Sequence, residues 1–151
     1  MLDDKYFTFS ALQTGSNNEG IYEKVGYFIG LNPNYSLSGK VTLPTTYNNY
    51  PIIGVNNNGF NNGLHTITHI FWATPTEDLV IIKDGAFAGT TNKNTLKYVQ
   101  LPDSIHEIAS QAFVRQEKLV IEELPYELIY IGAAAFSGCK SIRISSIGNN
   151  V

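Results

Sequence analysis

Three histidines, thirteen acidic residues and one cysteine are the side chains best able to bind a metal or move a proton in this chain. His65 and His69 stand four positions apart, a spacing that chelates a metal from one face of a helix. On an extended strand it sets their Cα atoms about 13 Å apart, too far for one ion. His106-Glu107 and Glu122-Glu123 are adjacent pairs. Neighbours on a strand point to opposite faces, so neither pair forms a dyad. No G-x-S-x-G elbow or phosphate-cradling glycine run occurs, and no ordering of Ser, His and Asp singles out a triad. Cys139 is alone, which leaves no disulfide within the chain and no cysteine metal site, and it reads as a buried thiol in a core slot. These residues predict no catalytic centre, no metal and no cofactor.

Binding chemistry is better represented. Tyr22, Tyr27, Tyr35, Tyr47 and Tyr50 gather in the first third, beside the asparagine runs Asn17-Asn18, Asn48-Asn49, Asn56-Asn57-Asn58 and Asn61-Asn62. Tyrosine with asparagine pairs a rigid amphipathic ring with adaptable hydrogen bonding. Most of these tyrosines are read as packing on the first structural unit. Tyr47, Asn49 and Tyr50, in an insertion over residues 45–51, are the candidate exposed contacts, with Thr91, Asn92 and Lys93 of a second insertion over residues 90–95.

Length suits one domain with one continuous core. Hydrophobic content of 43% is ordinary, whereas 15% charged residues is low against a typical quarter. A net charge of −3 without a Lys/Arg cluster argues against nucleic acid. No apolar run approaches the roughly 18 residues that span a bilayer, and Met1-Leu2-Asp3-Asp4-Lys5 has no apolar stretch of the kind that follows the start of a secretory signal.

The elements that must position these residues follow one template. Ile52-Ile53-Gly54-Val55 leads to Phe60, Leu79-Val80-Ile81-Ile82 to Phe87, Ile105-His106-Glu107-Ile108 to Phe113, and Leu128-Ile129-Tyr130-Ile131 to Phe136. Each time an aliphatic residue is followed three positions later by another, and five later by phenylalanine. The residue before the phenylalanine is small: Gly59, Ala86, Ala112, Ala135. Anchors that recur at intervals of 27, 26 and 23 residues mark a stacked-repeat solenoid. The phenylalanines should form one internal column, with parallel strands from successive coils about 4.8 Å apart.

Each coil opens with a strand that ends at a proline, Pro44, Pro75, Pro102 or Pro125, because proline cannot donate to a ladder. The opening of the second coil, Thr66-Ile67-Thr68-His69-Ile70-Phe71-Trp72, is out of step by a residue or more, with Trp72 read as core or edge packing. Residues 1–37 lie outside the template. The alternating Tyr6-Phe7-Thr8-Phe9-Ser10-Ala11-Leu12, a turn over residues 14–20 and a second strand before Asn32-Pro33 predict a β-hairpin that caps the stack. The expected division is a β cap over 1–37 and a solenoid over 38–151, in one structural unit.

Leu96-Lys97-Tyr98-Val99-Gln100-Leu101-Pro102, followed by Ile105, Ile108, Ala112-Phe113 and Leu119, resembles the BspA-like type of leucine-rich repeat. Leu124-Pro125 with Leu128, Ile131-Gly132, Ala135-Phe136, Cys139 and Ile142 does so too. The resemblance covers residues 38–151. It implies a mainly β, right-handed solenoid of about four coils and a role in adhesion or protein binding, with no catalytic residues to carry over. Departures are Gly63, Thr90 and Gln116 in the slot that Cys139 fills, where looser or wetter packing is expected, and Glu122 where Val99 stands one coil earlier. A bulge that turns Ile121 inward would keep that carboxylate out of the core.

Residues 141–151 begin another coil, which leaves three readings: the array continues in a longer chain, another copy covers its end, or a different protein docks there; a covered end-face of Ile142, Ile144 and Ile147 in an assembly is the one expected. The function expected is a non-catalytic module displayed on a surface, whose partner is a protein or a glycan. The competing expectation is a structural component of a larger particle, such as a virion decoration, fibre or tail protein. Membrane insertion and nucleic-acid binding are not expected.

Overall fold

The computed structural model describes residues 3–16, 23–61, 66–90 and 94–144. The only helical element among them is a 3-10 turn, Asp4–Tyr6. The strands are β1 (Phe7–Phe9), β2 (Gln13–Ser16), β3 (Glu23–Leu31), β4 (Ser38–Leu43), β5 (Thr46–Tyr47), β6 (Tyr50–Val55), β7 (Thr66–Trp72), β8 (Ile81–Ile82), β9 (Tyr98–Val99), β10 (Glu107–Ile108) and β11 (Tyr130–Ile131). They form two sheets. In one, β6, β8, β10 and β11 run parallel in succession from β3; in the other, β4, β7 and β9 do so. This is a β-solenoid of about four turns.

The template residues build its interior. Ile52, Leu79, Ile105 and Leu128 are buried, as are Val55, Ile82 and Ile108, with Ile131 half-buried at the last rung. Phe60, Phe87, Phe113 and Phe136 stack in sequence, with ring centroids 5.1, 5.2 and 5.4 Å apart and planes within 29°, 10° and 2°. The expected column is therefore present. Backbone bonds clamp each coil from both neighbours. At the phenylalanine corner the N–H groups of Phe60, Phe87 and Phe113 donate to Ala86, Ala112 and Ala135 O at 2.8, 2.7 and 2.8 Å. On the sheet side Lys83, Ala109 and Gly132 donate back to Val55, Ile82 and Ile108 O.

A left-handed residue sits two before every anchor: Asn58 (φ 54°), Gly85 (φ 64°), Gln111 (φ 58°) and Ala134 (φ 57°). The chain can then turn sharply enough to point the next two residues inward, and the small residue before each phenylalanine is buried in all four coils. Gly132 is required by close approach, since a Cβ there would lie 2.6 Å from the carbonyl carbon of Ala109 in the preceding coil.

At the N-terminal end the chain differs from a simple hairpin. β1 and β2 both pair antiparallel with the nine-residue β3, so residues 14–16, expected in a turn, belong to a strand instead. Ser10 bridges the break: its N–H donates to Phe28 O and its Oγ accepts from Phe28 N–H, both at 3.0 Å. β3 is long enough to serve both short strands on one edge while its other edge continues into β6. The misfit of the second coil is a register shift opposite Gly39/Lys40, which lets Ile67 and Ile70 both face the core. Trp72 is buried, its indole N–H donating to Gln100 O at 3.0 Å. Ile121 faces inward and Glu122 outward, which keeps the carboxylate in water.

Candidate interaction surface

Parallel, in-register pairing turns a periodic sequence into rows of side chains on a sheet surface. In the three-stranded sheet Lys40 pairs with His69 and His69 with Tyr98, and beside that row Thr42 pairs with Phe71. The core takes the alternate positions Val41, Ile70 and Val99. What remains outside is an aromatic patch. His69 lies 6.3 Å from Phe71 with ring planes 11° apart, and Phe71 lies 5.5 Å from Tyr98. His69 and Phe71 are half-buried and Tyr98 is exposed. Thr68 Oγ1 holds the His69 Nδ1 side of the ring at 2.8 Å. A cleft of about 460 Å³ adjoins the patch, bounded by Tyr98, Val120, Ile121 and Leu124. Flat rings flanked by Lys40 and Thr42 can stack on an apolar or cationic group while the rim hydrogen-bonds.

The insertion over residues 45–51 is a tight hairpin. β5 pairs antiparallel with β6 through Thr46–Pro51 and Tyr47–Tyr50, and Asn48 and Asn49 at its tip have φ of 52° and 68°. Two successive left-handed residues match the twist of a two-residue hairpin, and asparagine tolerates them. Asn49 and Tyr50 are exposed at this tip. Tyr47 is half-buried, stacked on Phe9 at 3.8 Å with planes 2° apart and edge-on to Tyr27, so its ring joins the packing of the N-terminal unit. Thr91, Asn92 and Lys93 lie outside the described residues, as do His65 and Ile147. Ile142 and Ile144 are half-buried against the core at the far end of the described stack.

In the slot three residues after the anchor, Gln116 is tightly packed, contrary to expectation, whereas Thr90 is exposed and Gly63 lies outside the described residues. Gln116 is only 3% exposed and its Nε2 donates to Phe87 O at 2.8 Å, one coil back. Cys139, one coil on, donates through Sγ to Phe113 O at 2.9 Å. Cys139 is half-buried, not fully buried as expected, and that burial, partly offset by the Gln116 backbone hydrogen bond, pushes its thiol up from its ordinary range and favours the protonated form. Among the described residues no cluster of three or more His, Cys, Asp or Glu could hold a metal ion, and no helix is long and apolar enough to cross a membrane.

The site residues brought together are thus His69, Phe71 and Tyr98, none of which the motifs singled out as contacts. Their signal was present as outward positions of two opening strands, but it required the register shift at Gly39/Lys40 to be known.

Short parallel strands, a corner at each proline and a continuous ring column define a repeat solenoid, a class whose stacked surfaces serve as scaffolds for interaction. Comparison with known families places the chain within it: the BspA-type leucine-rich repeat region matches residues 53–151, in six copies, and the chain belongs to that family. The family is linked in general to surface adhesion and protein interaction. Comparison with curated proteins and with solved structures returned no match.

Proposed function

We propose that this protein is a non-catalytic recognition module, displayed on a surface, that binds another protein through the outer face of β4-β7-β9. The observation that carries the reading is the His69-Phe71-Tyr98 patch, an aromatic surface left outside a fully formed core. Aromatic residues with polar neighbours are the side chains most often responsible for binding energy at protein interfaces. Asn49 and Tyr50 at the hairpin tip supply a second, smaller contact.

Phe71→Ala and Tyr98→Ala test this. Both side chains lie outside the core, so the fold should survive, as the far-ultraviolet dichroism spectrum and melting temperature would show. In a screen against arrayed extracellular proteins and glycans, the native chain should retain a protein ligand and the double variant should lose affinity by about tenfold or more. Undiminished binding by the variant would remove the sheet face from the function. Retention of glycans alone would replace the protein partner with a carbohydrate. A stoichiometric self-assembly seen by light scattering would favour the particle component instead.

A further inference from the structure

A second surface lies at the corner where three successive coils turn, around Pro75, Pro102 and Tyr126. Residues from successive coils line a groove of about 1030 Å³ there, including Glu23, Glu77, Asp103, Glu127, Trp72 and Tyr126. The corners are tied directly to one another. Asp103 Oδ1 accepts from Tyr126 N–H and Asp103 O from Glu127 N–H, both at 3.1 Å. Ser104 Oγ donates to Leu79 O at 2.7 Å. A rigid backbone therefore presents acidic side chains along the stack axis.

Charge and shape indicate the occupant. The lining carries four carboxylates and one cation, Lys24, whose Nζ is already held at 3.1 Å by Asp78 just outside the lining. That net of −3 equals the net charge of the entire chain, so the remaining residues balance and the excess is focused on the groove. The groove slightly exceeds the range of about 300–1,000 Å³ usual for small-ligand clefts, and its lining crosses three successive coils through Glu77, Asp103 and Glu127, which suits a chain segment better than a compact molecule. Tyr126, 77% exposed, stands at its rim and offers a ring face to a cation.

We infer that this groove docks an extended, lysine- or arginine-bearing segment of the partner protein. The inference rests on the protein-binding reading above and adds a second contact, chemically unlike the aromatic face. Glu23, Glu77 and Glu127 meet the cations, Tyr126 packs on one of them, and the Pro75 and Pro102 corners shape the walls.

Trp72 is the only tryptophan in the chain and lines this groove, so its fluorescence reports occupancy. A short dye-labelled peptide alternating lysine and threonine should bind saturably at low salt, shift the Trp72 emission and lose affinity as salt rises. The same peptide with glutamate for lysine should not bind. Glu77→Gln with Glu127→Gln should weaken binding about tenfold, whereas Glu117→Gln with Glu122→Gln, equal in charge but away from the groove, should change it less than about twofold. No saturable binding, equal losses in the two double variants, or binding of the glutamate peptide would overturn the inference. The Phe71→Ala protein should bind the peptide normally. If the peptide fails while the sheet face still selects a protein ligand, the groove is refuted and the recognition function stands.

Discussion

Gln116 and Cys139 differ in size and polarity, yet they perform one task. Each occupies the position three residues after an anchor and donates to the backbone carbonyl of the preceding anchor, Phe87 or Phe113. Those carbonyls face the interior, where a missing donor is expensive. The glutamine leaves its Oε1 buried without a hydrogen bond, a cost that the smaller thiol avoids. Gln116→Ala would remove the bond to Phe87 O and open a cavity in the middle of the stack. A loss of about 2 kcal/mol is expected from urea unfolding, the balance of a lost buried bond and relief of the orphaned oxygen. A change below about 0.5 kcal/mol would show that the slot is filled for volume alone. The sequence pattern locates this slot but misjudges its packing at Gln116, because a side-chain bond to a backbone carbonyl one coil away leaves no periodic trace.

At the scale of the element, the repeated unit is a turn as much as a strand. Every coil places the residue two before its phenylalanine in the left-handed region, yet only one of the four, Gly85, is glycine. Asn58 tolerates that conformation through its short polar side chain, and Asn61 Nδ2 braces it by donating to its Oδ1 at 2.9 Å. Ala134 has no such means, and its side chain is exposed, so little packing is lost with it. Ala134→Gly should therefore stabilise the protein by about 1 kcal/mol, the steric cost of the left-handed alanine less the added entropy of the unfolded glycine. Thermal unfolding would register this as a rise of several degrees; a fall would mean that the turn is not the source of strain. Gly85→Ala should act in the opposite sense, all the more because its new Cβ meets Asn58 Oδ1. The strands and prolines of these coils were legible from residue types. The left-handed turn was not, since Asn, Gly, Gln and Ala share no property that marks it.

For the whole molecule, the period of the phenylalanines was the most legible signal, because a column repeated once per coil must appear in sequence as a period. The surfaces were less so. Tyr47 was grouped with the exposed hairpin tip, but its ring packs on Phe9, a residue distant in sequence, and only the pairing of β1 and β6 with β3 brings the two together. The acidic groove had a signal, a carboxylate one or two residues after three of the four corner prolines, at Glu77, Asp103 and Glu127, but the convergence of those corners is a property of the stack. Energetically, the column makes the molecule cooperative. Phe87 and Phe113 are fully buried with a column ring on either side, whereas Phe136 is half-buried with one column ring beside it. Phe113→Ala should cost about 3–5 kcal/mol. Phe136→Ala, at the half-buried end of the column, should cost less by at least about one ring pair, roughly 0.5–1.5 kcal/mol. In a quasi-linear stack the central loss also uncouples coils on both sides, so Phe113→Ala should broaden or split the unfolding transition, whereas Phe136→Ala should only shift it. Calorimetry reads both the order and the shape. Equal losses for Phe113→Ala and Phe136→Ala would mean that each coil is stabilised by its own contacts, and the ring column would then be a consequence of the fold instead of its support.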